Sequence, residues 1–574
     1  MVDPLVIMSD YISTSRKILI PLLVGLALIL ILLLFDSPAR SAIASFPPFR
    51  LLADYFIDTF NGPAYYISPA GDDNANGRTP NQAWRTIDHV NQLDFEPGST
   101  ILFEGGHIFS GNLFLDETDC GGGSPDKPTV IGSYGAGLAT IDAGDQFGIF
   151  IQNCDHLRVT QLILEGSGTS TTKNGVDILN DKPGDILLSG IEIDGLDVSG
   201  FRHGIRLRAA NGLSGFNQVR LTNNKAHHNL HSGISTNWDV FDNTAEGWPF
   251  KDVYVANNIA HHNAGDPTYM DGHSGSGIVI GNVEDALIEH NFVYDNGASN
   301  AAPYQGPVGL WAWDCTHTVI QYNESFNNKS GTESDGGGFD LDGGCQDSIM
   351  QYNFSHDNDG SGFMVGQFKG AREMRNILVR YNLSVNDARR NRHSGIYLFR
   401  VEETNLQGID IYQNTVFISP GPSQPAAFRT SSWTTGLEDV RVLNNSFITS
   451  GGAWLIDIEQ PRNDIGFWGN NYDSSEETFV VRYEGDAYYT LPAWQEATGQ
   501  EHFDGAETGT AVPASVKNPG GSSPVDYQLR SESSLVDSGL DLGIFNVPEA
   551  DIHDFFGNPV PANITYDIGM YEAP

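Results

Sequence analysis

Basic residues are scarce in this chain. Of 574 residues, 31 are Lys or Arg against 72 Asp or Glu, a formal charge of −41. A surface of that sign repels nucleic-acid phosphates and excludes general DNA or RNA binding. Cysteine is scarcer still, with only Cys120, Cys154, Cys315 and Cys345. Four cysteines cannot scaffold a chain of this length, and no C-x-x-C metal pattern occurs. Two-residue hairpin turns recurring in phase are also missing, which argues against stacked antiparallel hairpins.

What is present is a repeat. The segments "VYVANNIAHHN" (253–263), "ALIEHNFVYDN" (286–296), "TVIQYNESFNN" (318–328), "SIMQYNFSHDN" (348–358) and "ILVRYNLSVND" (377–387) share the pattern apolar-x-apolar-x-x-Asn-x-x-x-x-Asn. The first Asn recurs at Asn224, Asn258, Asn291, Asn323, Asn353, Asn382, Asn414, Asn445 and Asn470. The second recurs as Asn229, Asn263, Asn296, Asn328 and Asn358, with Asp387 in the next copy. Short alternating strands with Asn or Gly at the corners, repeating every thirty residues or so, predict a parallel β-solenoid whose coils stack about 4.8 Å apart. The Asn residues read as structural ladders rather than as a polar site. Cys315 and Cys345 fall one repeat apart and become stacked neighbours. The spacing leaves open whether they are bridged, and likewise Cys120 and Cys154.

A second register follows each Asn pair. After a Gly the chain reads apolar-x-apolar-x: "GVDIL" (175), "GIRLR" (204), "GISTN" (233), "GIVIG" (277), "GLWAW" (309), "GFDLD" (338), "GFMVG" (362) and "GIYLF" (395). The first and third residues after the Gly point inward, and the second and fourth point out. Stacking the coils then predicts two outward columns: Asp177, Arg206, Ser235, Val279, Trp311, Asp340, Met364, Tyr397, and beside it Arg208, Asn237, Gly281, Trp313, Asp342, Gly366, Phe399. Exposed Trp, Tyr and Phe on one strip predict a sugar-binding surface, because ring faces cover the apolar faces of sugars. The alternative is that a long loop covers the strip and its aromatics are core. Connections of 8 to 14 residues occur just here.

Residues 18–35, "ILIPLLVGLALILILLLF", form an uncharged apolar run of about 27 Å as a helix, after Arg16 and Lys17. The positive flank keeps residues 1–17 in the cytoplasm and exports the rest. The run is either an uncleaved anchor or a signal peptide cut after "AIA" at 42–44. A linker (36–64), an N-terminal cap (65–110), the coils (111–500) and a C-terminal tail (501–574) complete the expected organisation.

With cap, coils and tail in view, the chain resembles the right-handed parallel β-helix, pectate-lyase-like superfamily of secreted carbohydrate-active proteins. "YYISPAGDDNANGRTPNQAWRTIDHVNQLDFEPGSTILFEGG" (65–106) is similar to the helix-bearing N-terminal cap of that group. "DYQLRSESSLVDSG" (526–539) and "DIGMYE" (567–572) are similar to its C-terminal ends. The resemblance implies an all-β fold of about ten coils with an N-terminal helix cap. It does not carry a reaction, since lyases, hydrolases, epimerases and adhesins share the fold. The N-T-D, D-D, G-H-G and R-I-K set of polygalacturonases is absent, and so is the Asp/Pro/His motif of mannuronan epimerases.

Candidate chemistry therefore rests on local residues. Asp340 and Asp342 lie about 6.5 to 7 Å apart at Cα, a separation suited to an inverting glycosidase pair. With Asp335 and Asp314 nearby, they also form a candidate Ca²⁺ site, and a solvated acidic pair is the third reading. Seven Arg in "RHGIRLR" (202–208) and "DARRNRHSGIYLFR" (387–400) point to an anionic ligand, a uronate-containing polysaccharide. Arg206, Arg208, Trp311, Trp313, Tyr397 and Arg400 are the expected binding residues. Lyases of the resembled fold commonly take a proton with Arg, Lys or His, which makes His393 and Arg392 candidates. The residues and the resemblance together predict an exported, membrane-tethered, monomeric β-helix that binds and cleaves an acidic polysaccharide by β-elimination. The alternatives are an inverting hydrolase on Asp340 and Asp342, and a non-catalytic binding or surface protein.

Overall fold

The computed structural model describes residues 62–574, apart from 121, 169–170, 402–403, 432–436, 461–463, 476–477, 548–552 and 564. The apolar run at 18–35 lies outside the described residues. Among the described residues, no helix is long and apolar enough to cross a membrane.

The chain winds as a right-handed parallel β-helix, as its repeat predicts. Strand Ala64–Ile67 opens it and pairs in parallel with Thr100–Glu104. Between them sits the short cap helix Ile87–Val90, whose N-cap Thr86 Oγ1 accepts from the His89 N–H at 3.1 Å. The coils then contribute to two sheets, one of 26 strands that runs over two faces and one of 13 strands of three or four residues for most of its length. Inward positions are filled by Ile, Val, Leu and Phe at full burial, including Ile205, Ile234, Ile278, Leu310, Phe339, Phe363 and Ile396 along one line.

The corners explain the Asn repeat. The residue before each ladder Asn turns the chain through left-handed backbone, as at Asn257 (φ 57°), Tyr322 (φ 54°) and Tyr352 (φ 55°). The following Asn points inward, and its carboxamide bonds to the next coil. Asn323 Nδ2 donates to Asn353 Oδ1 at 3.0 Å, and Asn353 Nδ2 to Asn382 Oδ1 at 3.1 Å. That ladder runs from Asn224 to Asn470 and ends on Glu501 Oε1, which accepts from Asn470 Nδ2 at 2.8 Å. The second ladder ends on Asp387, whose Oδ1 accepts from Asn358 Nδ2 at 2.8 Å.

Both cysteine pairs are disulfides, Cys120–Cys154 and Cys315–Cys345. At the C-terminal end of the barrel, helix Leu491–Thr498 buries Trp494 against Phe467 and Tyr472, closing the core. The tail then returns along the coils. Leu535, Ile568 and Met570 pack on Leu383, Phe417 and Ile448, and Leu542 and Phe545 pack with Tyr381, Tyr412 and Leu443. The tail thus sheathes the faces away from the Gly-led strands and leaves those strands to build the site.

Candidate functional site

The Gly-led strands stack in the register that the alternation predicts. Asp177 pairs with Arg206, Arg206 with Ser235, Ser235 with Val279, Val279 with Trp311, Trp311 with Asp340, Asp340 with Met364, and Met364 with Tyr397. Trp313 stands beside Asp342 in the second column. The first column continues through Arg429, Asp457 and Arg482, on strands that carry no leading Gly.

The strip is not an open aromatic surface. Trp311 is 7% exposed and Met364 2%, and both pack with Val279 and Val308 under the loops of adjoining coils. Trp311 is fixed further by donating to Ser276 Oγ at 3.2 Å, while His273 meets its ring edge-on. The expectation of Trp311 as a binding platform is therefore corrected: it is part of a small outer core. Trp313 and Tyr397 remain partly exposed. Trp313 lies flat over Gly281, where a Cβ would come 2.1 Å from its Nε1.

Phe339 and Leu341 hold the strand Phe339–Asp342 to the barrel, with Phe339 stacked on Phe363 at 5.4 Å. Asp340 points outward yet is 2% exposed, set between Trp311 and Met364 of the flanking coils. Asp342 and Asp335 are the partly exposed carboxyls of the group. Asp335 enters from the loop before the strand. Its Oδ2 accepts from the Gly306 N–H at 2.8 Å, and its carbonyl accepts from Asn391 Nδ2 at 2.8 Å.

Among the described residues, none of the three carboxyls forms an ion pair, and Oδ1 of Asp340 and of Asp342 has no hydrogen-bond partner. Burial, with the Asp342 and Asp335 charges, holds Asp340 well above the usual carboxylate range. Burial pushes Asp342 up to about 7, with Asp335 adding to it and the Gly343 N–H opposing. Burial pushes Asp335 up to about 6 against the Gly306 N–H. The arrangement is a proton-holding acid cluster.

Two cavities flank it along the axis. One, of about 130 Å³, is lined by Arg392, Tyr397, Arg429, Thr430, Ser431, Asp457 and Glu459. Here Asp457 gathers three guanidiniums, Arg429 Nε at 2.7 Å, Arg482 Nη1 at 3.2 Å and Arg392 Nη2 at 3.5 Å, and Arg392 also pairs with Glu459. The other, of about 210 Å³, runs from Arg202, His203 and Arg206 past His231, Tyr269 and His273 to Trp313, one coil from Asp342.

Several expected roles change with these contacts. Arg208 is bound to Asp239 through Nε at 3.0 Å and lies 3.6 Å from Asp177, so it balances acids and lines neither cavity. Arg400 is 7% exposed and lines neither cavity. Asp314 is fully buried in an ion pair with Arg372 Nε at 2.8 Å and accepts from Asn282 Nδ2 at 2.8 Å, which removes it from any Ca²⁺ site. Among the described residues, no group of three or more His, Cys, Asp and Glu side chains is arranged to hold a metal ion. His393 stacks on Tyr397 at 4.6 Å, and burial, with Arg429 nearby, holds its imidazole down to about 3. Sequence reasoning missed Arg429 and Asp457 because their strands, "AAFRT" and "WLIDI", lack the leading Gly, and Glu459 because it follows the second of them.

The fold is a parallel β-helix, here with a carboxyl cluster on its outward face. No family profile matches the chain. It is 26% identical over 456 residues to a lacto-N-biosidase of Bifidobacterium longum subsp. longum, an alignment covering 63% of this chain and 28% of that protein. The chain thus matches little more than a quarter of that relative's length. Among solved structures it is similar to a GH136 lacto-N-biosidase from Eubacterium ramulus, with a TM-score of 0.47 and 18% identity over 69% of this chain and 67% of the other. It is also similar to pectate lyase Pel9A, with a TM-score of 0.37 and 14% identity over 89% and 96%.

Proposed function

We propose that the protein is a glycoside hydrolase that lays a saccharide along the outward groove and cleaves it with Asp335 and Asp342. The observation carrying this reading is two partly exposed carboxyls, free of ion pairs and pushed up to about 6 and about 7, between two cavities. Glycoside hydrolysis needs one carboxyl to protonate the leaving oxygen and a second, ionised, to attack the anomeric carbon or to activate water. Between those two values the pair holds one proton, which is that working state. Asp340, buried beside them and held well above the usual carboxylate range, favours its neutral form. Trp313 offers a ring face to a sugar one coil away.

The lacto-N-biosidase name of the Bifidobacterium relative supports hydrolysis of a glycosidic bond. β-Elimination would need a base beside the sugar. His393, held down to about 3, is a poor one, and Arg392 is occupied by Glu459 and Asp457. The site works outside the cytoplasm if the apolar run at 18–35 exports the chain as its flank predicts.

The test is a panel of lacto-N-biose-terminated oligosaccharides and uronate polymers, followed by reducing-end release and by the ultraviolet absorption of an unsaturated uronate. Hydrolysis gives reducing ends alone. Reducing ends accompanied by that absorption would replace this reading with a lyase. Binding with neither signal would make the protein a non-catalytic carbohydrate binder.

A further inference from the structure

The larger cavity carries a charge arrangement that the hydrolytic pair does not use. Arg202 and Arg206 both line it, and Nε of each is buried without a hydrogen-bond partner. Among the described residues neither guanidinium forms an ion pair. The acids closest to them are committed elsewhere. Asp239 is held by Arg208, Asp177 lies 3.6 Å from Arg208 Nη1 and accepts from Asn174 Nδ2 at 3.0 Å, and Asp266 lies 4.0 Å from His231 Nε2.

The three imidazoles on the same wall do not compete as cations. Burial, with the neighbouring arginines, holds His231 down to about 3, burial alone holds His273 at about 4, and His203 is held well below its usual range. Each is a neutral group with a nitrogen to donate or accept, and His203 Nδ1 already contacts Ser232 Oγ at 2.7 Å. A half-buried guanidinium with its Nε sealed from solvent and no counter-ion is costly in an isolated fold. Two of them facing one cavity, in a chain with more than twice as many acids as bases, form a place prepared for an anion.

We infer that Arg202 and Arg206 form a subsite for an anionic substituent, a carboxylate or a sulfate, on the saccharide that the groove binds. Arg206 stands four coils from Asp340 in one column, about 19 Å at 4.8 Å per coil. The anionic unit therefore sits several sugar residues from the cleaved bond and acts on binding rather than on the chemical step. This rests on the proposed saccharide groove but not on its hydrolytic chemistry.

The experiment separates the two by measuring binding in the Asp342→Asn variant, whose turnover is slowed enough for the saccharide to stay intact during a titration. Titration calorimetry would compare glucuronate and galactose 6-sulfate with glucose and galactose, on that background and with Arg206→Gln or Arg202→Gln added. Saturable binding of an acidic sugar is expected, weakened about tenfold or more by either Arg substitution and by added salt, while neutral sugars bind equally to all variants. A preference for glucuronate or for the sulfate identifies the substituent. Acidic sugars binding no better than neutral ones, or binding unchanged in both Arg variants that retain the wild-type melting profile, would overturn the subsite and leave the hydrolytic reading intact. Should Arg206→Gln fail to fold, Arg206→Lys and Arg202→Gln decide the question.

Discussion

The Gly306 N–H donates to Oδ2 of Asp335 at 2.8 Å across two successive loops, so the loop of one coil positions the carboxyl of the next. Asp335 is thereby delivered to the strand that carries Asp340 and Asp342, with donor and acceptor 29 positions apart in sequence. The acid cluster is a product of coil stacking rather than of the local D-x-D spacing.

Substituting the covered acid and the accessible acids should separate their roles. Asp340→Asn is expected to retain most activity, because its carboxyl is 2% exposed between Trp311 and Met364 and is held well above the usual carboxylate range. Steady-state kinetics on a cleaved oligosaccharide checks this. A loss as deep as that of the accessible pair would move Asp340 into the chemistry.

Stability should depend on pH through the same cluster. The folded values of Asp342, about 7, and Asp335, about 6, lie above the unfolded value of 3.8. Their contribution is therefore fully present below about pH 4 and is lost as pH rises through 6 to 7. Asp342→Asn removes this cost, and the variant should be more stable than wild type at pH 8 by roughly 1–3 kcal/mol, with no gain at pH 4. Parallel urea melts at the two pH values test it, and a gain that does not shrink on acidification would refute it.

The Asn ladder should be costly to interrupt. Asn353 accepts from Asn323 through Oδ1 and donates through Nδ2 to Ile320, Gln351 and Asn382. Truncation leaves several buried polar groups without partners, so Asn353→Ala is expected to lose about 2–5 kcal/mol. Equilibrium unfolding against an exposed-site control measures it.

Gly281 should be required for the groove rather than for the fold. Its Cβ would strike the indole of Trp313, so Gly281→Ala is expected to displace that ring from the floor beside Asp342. Saccharide affinity should fall several-fold while the melting temperature changes little. An unchanged affinity would show that Trp313 does not contact the ligand.

Register was legible in the sequence wherever a Gly or Asn marked the phase. Every neighbour from Asp177 to Tyr397 falls where the alternation places it, and the two ladders are as the repeat predicts. Cover and charge pairing were not legible, because they join residues whose sequence separation carries no periodic signal. Nothing in "DARRNRHSG" reveals that Arg392 reaches Glu459, 67 residues on, or that Asn391 reaches back to the Asp335 carbonyl. The expectation of an exposed Trp311 failed for the same reason: alternation says which side a residue faces, and only the loops decide whether that side is open.

The central claim is most directly tested by the initial rate of reducing-end release from a cleaved oligosaccharide by Asp335→Asn and Asp342→Asn, each confirmed folded by its melting profile. Each substitution is expected to lower the turnover rate by about 10²–10⁴-fold while saccharide binding persists. Either variant retaining near wild-type turnover would contradict it.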